Sequence, residues 1–162
     1  MPTETDLDFM RAAIAQARAA EAEGEVPIGA VIVRDGEIIA GGNNRVIRDH
    51  DPSAHAEIIA LRAAGKLLGN YRLDGCDLYV TLEPCALCAA AISLARLRRV
   101  YFGAYDPKGG AVDHGPRWFG QRTCLHVPEV YGGIDERRAA GLLRAFFRAL
   151  RAAPGVLPRP PG

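Results

Sequence analysis

Apolar residues recur at helical spacing between residues 5 and 23, at Leu7, Met10, Ile14 and Ala17, and Gly24 supplies a stop. The period then shortens. Residues 28–33 and 37–40 are rich in β-branched side chains, and Arg34-Asp35-Gly36 between them is a hairpin signal. A polar stretch at 42–54, containing Asp51-Pro52-Ser53, predicts a loop. The helical pattern returns near His55 and runs through Ile58, Ile59, Leu61 and Leu67 to Gly69. Residues 77–82 predict a strand, stopped at Pro84. Residues 85–95 (CALCAAAISLA) are apolar nearly all round and predict a buried helix. A strand follows at 100–104. Residues 105–123, rich in Gly, Pro and polar types, predict a long functional loop. Residues 125–131 predict an edge strand, because Pro128 would cost a central one a ladder bond. A last helix is expected at 135–151, with Leu142, Leu143, Phe146, Phe147 and Leu150 on its apolar side.

This alternation predicts a mixed sheet covered by helices on both faces, with ligands bound where strands end and helices begin. The 162 residues suit one domain, expected over 1–153, whose core needs no disulfide staples. The Pro-rich stretch at 154–162 is expected to be a flexible tail. Mean hydropathy is near zero. No apolar run approaches the ~20 residues of a spanning helix, and the acidic N-terminus lacks the basic, then apolar, start of a leader. A cytoplasmic protein without a membrane partner is the expectation.

A formal net charge of +1 weighs against bulk attraction to a polyanion. The charges are nonetheless unevenly placed. The first 25 residues carry Glu4, Asp6, Asp8, Glu21, Glu23 and Glu25 against Arg11 and Arg18. From residue 137 onward there are six arginines and no acid, and Arg96, Arg98 and Arg99 form a second cluster. These are either solvated faces or a basic surface for a polyanion.

Two short motifs carry chemistry, each opening a predicted helix: His55-Ala56-Glu57 and Pro84-Cys85-Ala86-Leu87-Cys88. Positions three apart share a helical face, and a helix N-terminus favours thiolate. Pro84 suits such a start, since its missing N–H would be unpaired there anyway. Two thiolates and the His55 imidazole make three zinc ligands, which leaves one position open for water. Such water is acidified toward ~7 and calls for a base beside it. Glu57 lies ~200° around the helix from His55 at 3.6 residues per turn, so it is free to serve as a proton shuttle instead of a ligand. Alone, C-x-x-C could be redox-active, half of a structural zinc site or core cysteine, and H-x-E alone is close to noise. Cys76 and Cys124 read as core or free thiols, and His50, His114 and His126 as ordinary loop histidines.

H-x-E followed by P-C-x-x-C is the signature of the zinc-dependent nucleoside and nucleobase deaminases. The likeness extends further. GEVPIGAVIV (24–33), NRVIRDHDPSAHAEIIALR (44–62), NYRLDGCDLYVTLEPCALCAAAI (70–92), FGAYDPKGGA (102–111) and LLRAFFRALR (142–151) resemble the bacterial tRNA-specific adenosine deaminases. Together they cover about residues 5–151. Residues 112–131 depart from that family's commonest wording, which leaves loop contacts to RNA open.

The resemblance implies a three-layer α/β/α cytidine-deaminase-like fold around a mixed five-stranded sheet. It implies hydrolytic deamination of adenosine to inosine at wobble position 34 of a tRNA, arginine tRNA foremost. By its motif, His55, Cys85 and Cys88 bind one Zn²⁺ per subunit and Glu57 is the general acid/base. Asn44 lies beside the base; without the resemblance it reads as a turn residue. Val26, Pro27 and Ile28 line the apolar part of the pocket. Asp106 and Lys108 approach the anticodon backbone and riboses. Phe147 approaches the flanking nucleotides, or else is a core aromatic beside Phe146. Arg148 and Arg151 contact phosphates. A homodimer sharing each tRNA anticodon loop is also implied. The alternatives are a deaminase of free nucleobases or nucleosides, of guanine or cytidine type, and a noncatalytic RNA-binding protein with structural zinc.

Overall fold

The computed structural model describes residues 2–153; the tail expected at 154–162 lies outside the described residues. In chain order the elements are α1 (Glu4–Ala22), β1 (Gly29–Arg34), β2 (Glu37–Asn43), α2 (Ala56–Leu68), β3 (Cys76–Leu82), α3 (Ala86–Leu94), β4 (Arg99–Ala104), β5 (Glu129–Tyr131) and α4 (Glu136–Ala152). A short 3-10 turn at Trp118–Gly120 interrupts the long loop before β5. The sheet runs β2-β1-β3-β4-β5. β1 is antiparallel to β2 and β3, while β3, β4 and β5 are parallel.

Local chemistry explains the starts and stops. Thr3 and Asp6 exchange hydrogen bonds as a capping box at the head of α1. Beyond its end Gly24 takes φ 81, a left-handed conformation that suits glycine. Asp35 and Gly36 both have positive φ, as the two-residue turn of the β1–β2 hairpin requires.

Side chains alternate across the sheet, and each face meets its own helices. Ala30, Ile32, Leu78, Val80, Val100 and Phe102 pack on Ala56, Ala60 and Ala64 of α2 and Ile92 of α3. Val31, Val33, Tyr79 and Tyr101 pack on Met10, Ala13 and Ile14 of α1, with Leu142 of α4 beside them. The expected three layers are therefore present. β3 is the central strand, buried on both faces from Cys76 to Thr81. Its register places Tyr79 beside Tyr101, and Tyr101 beside Tyr131. The rings stack at 4.3 and 5.0 Å, and Phe9 of α1 adds to the column at 5.2 Å. Each such contact contributes about 0.5–1.5 kcal/mol beyond the area it buries.

Three expectations change. The polar stretch from residue 42 does not begin as a loop, because β2 continues through Gly41-Gly42-Asn43. Glycine is needed there: a Cβ on Gly42 would lie 2.6 Å from Ala56 O and from Ala60 N of α2. The helix that carries the H-x-E motif thus sits directly on this strand end. The strand expected at 125–131 shrinks to Glu129–Tyr131, and Leu125 and Val127 are exposed. Pro128 has no N–H to give, so pairing starts after it. The preceding segment is instead tied to the end of α3, with Ser93 Oγ donating to His126 O at 2.7 Å. Finally, α3 is not buried all round: Leu87 and Leu94 lie open on one side. Among the described residues no helix is long and apolar enough to cross a membrane.

Candidate active site

His55 is the residue before α2, and Cys85 the residue before α3. Both have extended backbone, and neither side chain caps its own helix. They turn toward each other instead. His55 Nδ1 lies 3.5 Å from Cys85 Sγ and 3.4 Å from Cys88 Sγ. The three donor atoms all fall within 4.8 Å of one another, the one such group among the described residues. Tetrahedral zinc with Zn–N ~2.0 Å and Zn–S ~2.3 Å separates N from S by ~3.5 Å. The observed spacings match that value, and the positive ends of two helices converge on the sulfurs. The donor set fits zinc.

The thiols divide their proton unequally. Cys85 is drawn down to about 4, first by its hydrogen bond with Cys88 and then by His55. Cys88 is pushed up, by that same bond and then by burial. His55 is raised, chiefly through Cys85. Glu57 sits in the first turn of α2 and is buried. Burial pushes its carboxyl up to about 7. An acid titrating near neutrality can both accept and return a proton there.

These groups sit in the wall of a cavity of about 850 Å³. Val26 and Ile28, Asn44, Asp106 and Lys108, and Phe147 and Arg148 of α4 all line it, together with His55, Glu57 and Cys85. Cys88 is fully buried beside them. Every residue singled out as a candidate is thus brought to one place, except Pro27, which is buried outside the wall. Asn44 is not a free turn residue. Its N–H donates to Ile28 O at 3.1 Å, and its buried Oδ1 has no partner. Of the two adjacent aromatics, Phe146 is the buried one and Phe147 lines the cavity.

The sequence reading missed Tyr105, Gly109, Leu143 and Arg144 in the wall. Arg144 was findable, since it lies one helical turn before Arg148 and two before Arg151, also in the wall. It also missed Glu83, whose carboxylate is fully covered. Oε1 accepts from Asp106 N at 3.0 Å and from His114 Nδ1 at 2.8 Å. Oε2 accepts from Val112, Asp113 and His114 N–H at 3.2, 3.0 and 3.2 Å. Burial raises the Glu83 carboxyl, but these donors together hold it below its ordinary value. So His114 is no ordinary loop histidine; it helps wrap the loop that carries Asp106 and Lys108 around one buried anion.

Comparison with known proteins agrees with this geometry. Residues 3–104 match the family described as the cytidine and deoxycytidylate deaminase zinc-binding region. The chain is 57% identical over 143 residues to a tRNA-specific adenosine deaminase of Agrobacterium fabrum, covering 88% of this chain and 94% of that one. A solved structure from a study of A-to-I editing by tRNA:A34 deaminases at the wobble position of transfer RNA superposes with a TM-score of 0.83. It is 56% identical and covers 84% of this chain and 99% of its own. A structure from work on the guanine deaminase of Nitrosomonas europaea superposes at 0.71 with 25% identity, covering 90% of this chain and 85% of that one.

Proposed function

Since the chain belongs to the cytidine and deoxycytidylate deaminase family, we propose that it is a zinc-dependent tRNA adenosine deaminase. It hydrolyses adenosine to inosine at wobble position 34, with arginine tRNA as a substrate, in the cytoplasm. One observation carries the reading. A buried acid, Glu57, lies beside a zinc-type donor set in a cavity whose wall also carries Arg144, Arg148, Arg151 and Lys108. A free nucleobase would not need those four cations, whereas an RNA loop brings phosphates to them.

His55, Cys85 and Cys88 would hold one ion per subunit. When bound, zinc supplies the Lewis acidity that makes water nucleophilic near neutral pH. Glu57 takes the proton from the attacking water as oxygen bonds to adenine C6. It delivers that proton to N1, then takes the second proton from the new C6 hydroxyl and delivers it to the departing amino group, so adenosine and water become inosine and ammonia. One carboxyl serves both steps because deprotonation comes first. The Asn44 amide meets the base edge, and Val26 and Ile28 pack its apolar faces. Asp106 and Lys108 meet the riboses and backbone, Phe147 meets flanking nucleotides, and Arg148 and Arg151 meet phosphates. An anticodon loop is unpaired, so presenting the base costs less than flipping it from a duplex.

A homodimer completes the reading. The open apolar face between α2 and α3, with Leu61, Ala91 and the exposed Tyr71 and Leu94, supports a second copy seated there.

The test is inosine formation on an arginine-tRNA anticodon stem-loop with adenosine at the wobble position, comparing zinc-loaded protein with Glu57→Ala. Inosine from the unaltered protein alone is expected, with a loss of at least about 10²-fold in the variant. Activity on free guanine or cytidine but not on RNA would favour the second reading, which the likeness to guanine deaminase supports.

A further inference from the structure

Asn44 has one free end and one fixed end. The residue lines the cavity, and its Oδ1 is buried without a partner, a state that a donor reaching it would relieve. Its main chain is held twice. The N–H donates to Ile28 O at 3.1 Å, and the carbonyl accepts from an Arg48 terminal nitrogen at 2.7 Å. That same nitrogen donates to Asn43 Oδ1 at 2.8 Å. On its other side, Arg48 Nε donates to Glu25 Oε2 at 3.2 Å. Glu25 is buried, and also accepts the main-chain N–H of Ile47 at 3.0 Å and of Arg48 at 2.8 Å. Its own N–H donates to Ala20 O at the end of α1. Arg48 lies outside the cavity wall. It joins the first helix, through Glu25, to Asn44, whose Oδ1 is unsatisfied.

We propose that Arg48, its charge balanced by the buried Glu25, is a positioning residue for the deamination, acting on the target base through Asn44. A guanidinium suits this work because its planar fork reaches a carboxylate, a side-chain oxygen and a main-chain oxygen together; an ammonium cannot span them. The inference rests on the deaminase reading for its catalytic consequence. The hold on Asn44 is a property of the chain itself.

The experiment compares the unaltered protein, Arg48→Met, Asn44→Ala and the double variant on the anticodon stem-loop. Zinc content and amide hydrogen exchange are measured in each. Arg48→Met should lower kcat/KM by about tenfold or more, yet by less than about twofold when Asn44 is already alanine. It should also lower exchange protection at the Asn44 amide by about tenfold, leaving the amides of α2 and the zinc content unchanged. Because Arg48→Met leaves a buried acid unpaired, Glu25→Gln with Arg48→Met is the second variant and should show at least that loss. Fully multiplicative losses in the double variant, or unchanged protection at Asn44, would overturn the proposal. If the unaltered protein makes no inosine, the deaminase reading fails, and the exchange measurement still decides whether Arg48 holds Asn44.

Discussion

Glu83→Gln removes one charge from the centre of the loop at 106–114. Glutamine keeps one acceptor oxygen and puts an amide nitrogen, itself a donor, where the other oxygen was. On the Oε2 side that nitrogen would face the N–H groups of Val112, Asp113 and His114. On the Oε1 side it would face Asp106 N–H and the His114 ring. The second orientation is cheaper, because the imidazole can turn a lone pair toward the amide and only Asp106 N–H is stranded. A stranded buried donor costs ~1–3 kcal/mol, and the surviving bonds weaken once their acceptor is neutral. Together these give about 2–4 kcal/mol. A domain of this size loses ~2–4 °C per kcal/mol, so Tm should fall by roughly 4–16 °C. Calorimetry at pH 7, with saturating zinc and fixed protein concentration, removes mass-action contributions from metal and subunit binding. Hydrogen exchange should localise the loss to residues 106–114. A Tm change under about 2 °C with unchanged loop protection would refute the reasoning.

Two further outcomes are expected. Arg148→Ala and Arg151→Ala should each lower the magnitude of the slope of log affinity against log salt by about 0.7 for the stem-loop; unchanged slopes in anisotropy titrations would return both arginines to the solvent. Asp6 is pushed up by burial, but the Tyr79 hydroxyl and Thr3 outweigh that and hold it below its ordinary value of 3.8. A depressed carboxylate stabilises the fold above its unfolded value and loses that contribution as pH falls through its folded value. The stability gap between the unaltered protein and Asp6→Asn should therefore be constant above about pH 5 and close below about pH 4; a gap that widens on acidification would contradict the assignment.

What the sequence made legible divides along a physical line. Helices such as α1 and the central strands were readable because each buries an uninterrupted apolar face, as in Met10, Ala13, Ile14 and Ala17 of α1. The end of β2 was not, because Gly41-Gly42-Asn43 has no apolar signal. Its strand state comes from pairing with β1 and from the closeness of α2, neither of which is local. The openness of α3 was hidden for a related reason: apolar composition records a preference for burial without naming the neighbour that supplies it. In the site, His55, Glu57, Cys85 and Cys88 stood out because donors at helix starts need fixed short spacings. Asn44, Asp106, Lys108 and Phe147 needed the family likeness, since singly the first three are ordinary surface types and Phe147 reads equally as a core aromatic. Glu25, Arg48 and Glu83 escaped both routes. Nothing in an isolated acid reveals bonds to main chain 22 to 31 residues away, and nothing in an isolated arginine reveals a carboxylate 23 residues before it.

The two hidden acids share one physical task. Glu25 and Glu83 are both buried, and each accepts several N–H groups from a loop that adds to the cavity wall. One loop starts from Asn44, the other carries Asp106 and Lys108. These loops carry few apolar anchors of their own, Ala54 in one and Ala111 and Val112 in the other, so much of their main chain must be fixed by other means. Wrapping its main-chain donors around a buried anion fixes it from beneath and leaves its outer side chains uncommitted. The neutral substitution at either acid should therefore loosen one side of the pocket and spare the other. The zinc-type cluster, held by the starts of two helices on a shared sheet, should stay in register. Stability of the reacting centre and adaptability of the substrate walls are thereby supported by different parts of the chain, which is how a fold shared with guanine deaminase can carry a site suited to an RNA loop.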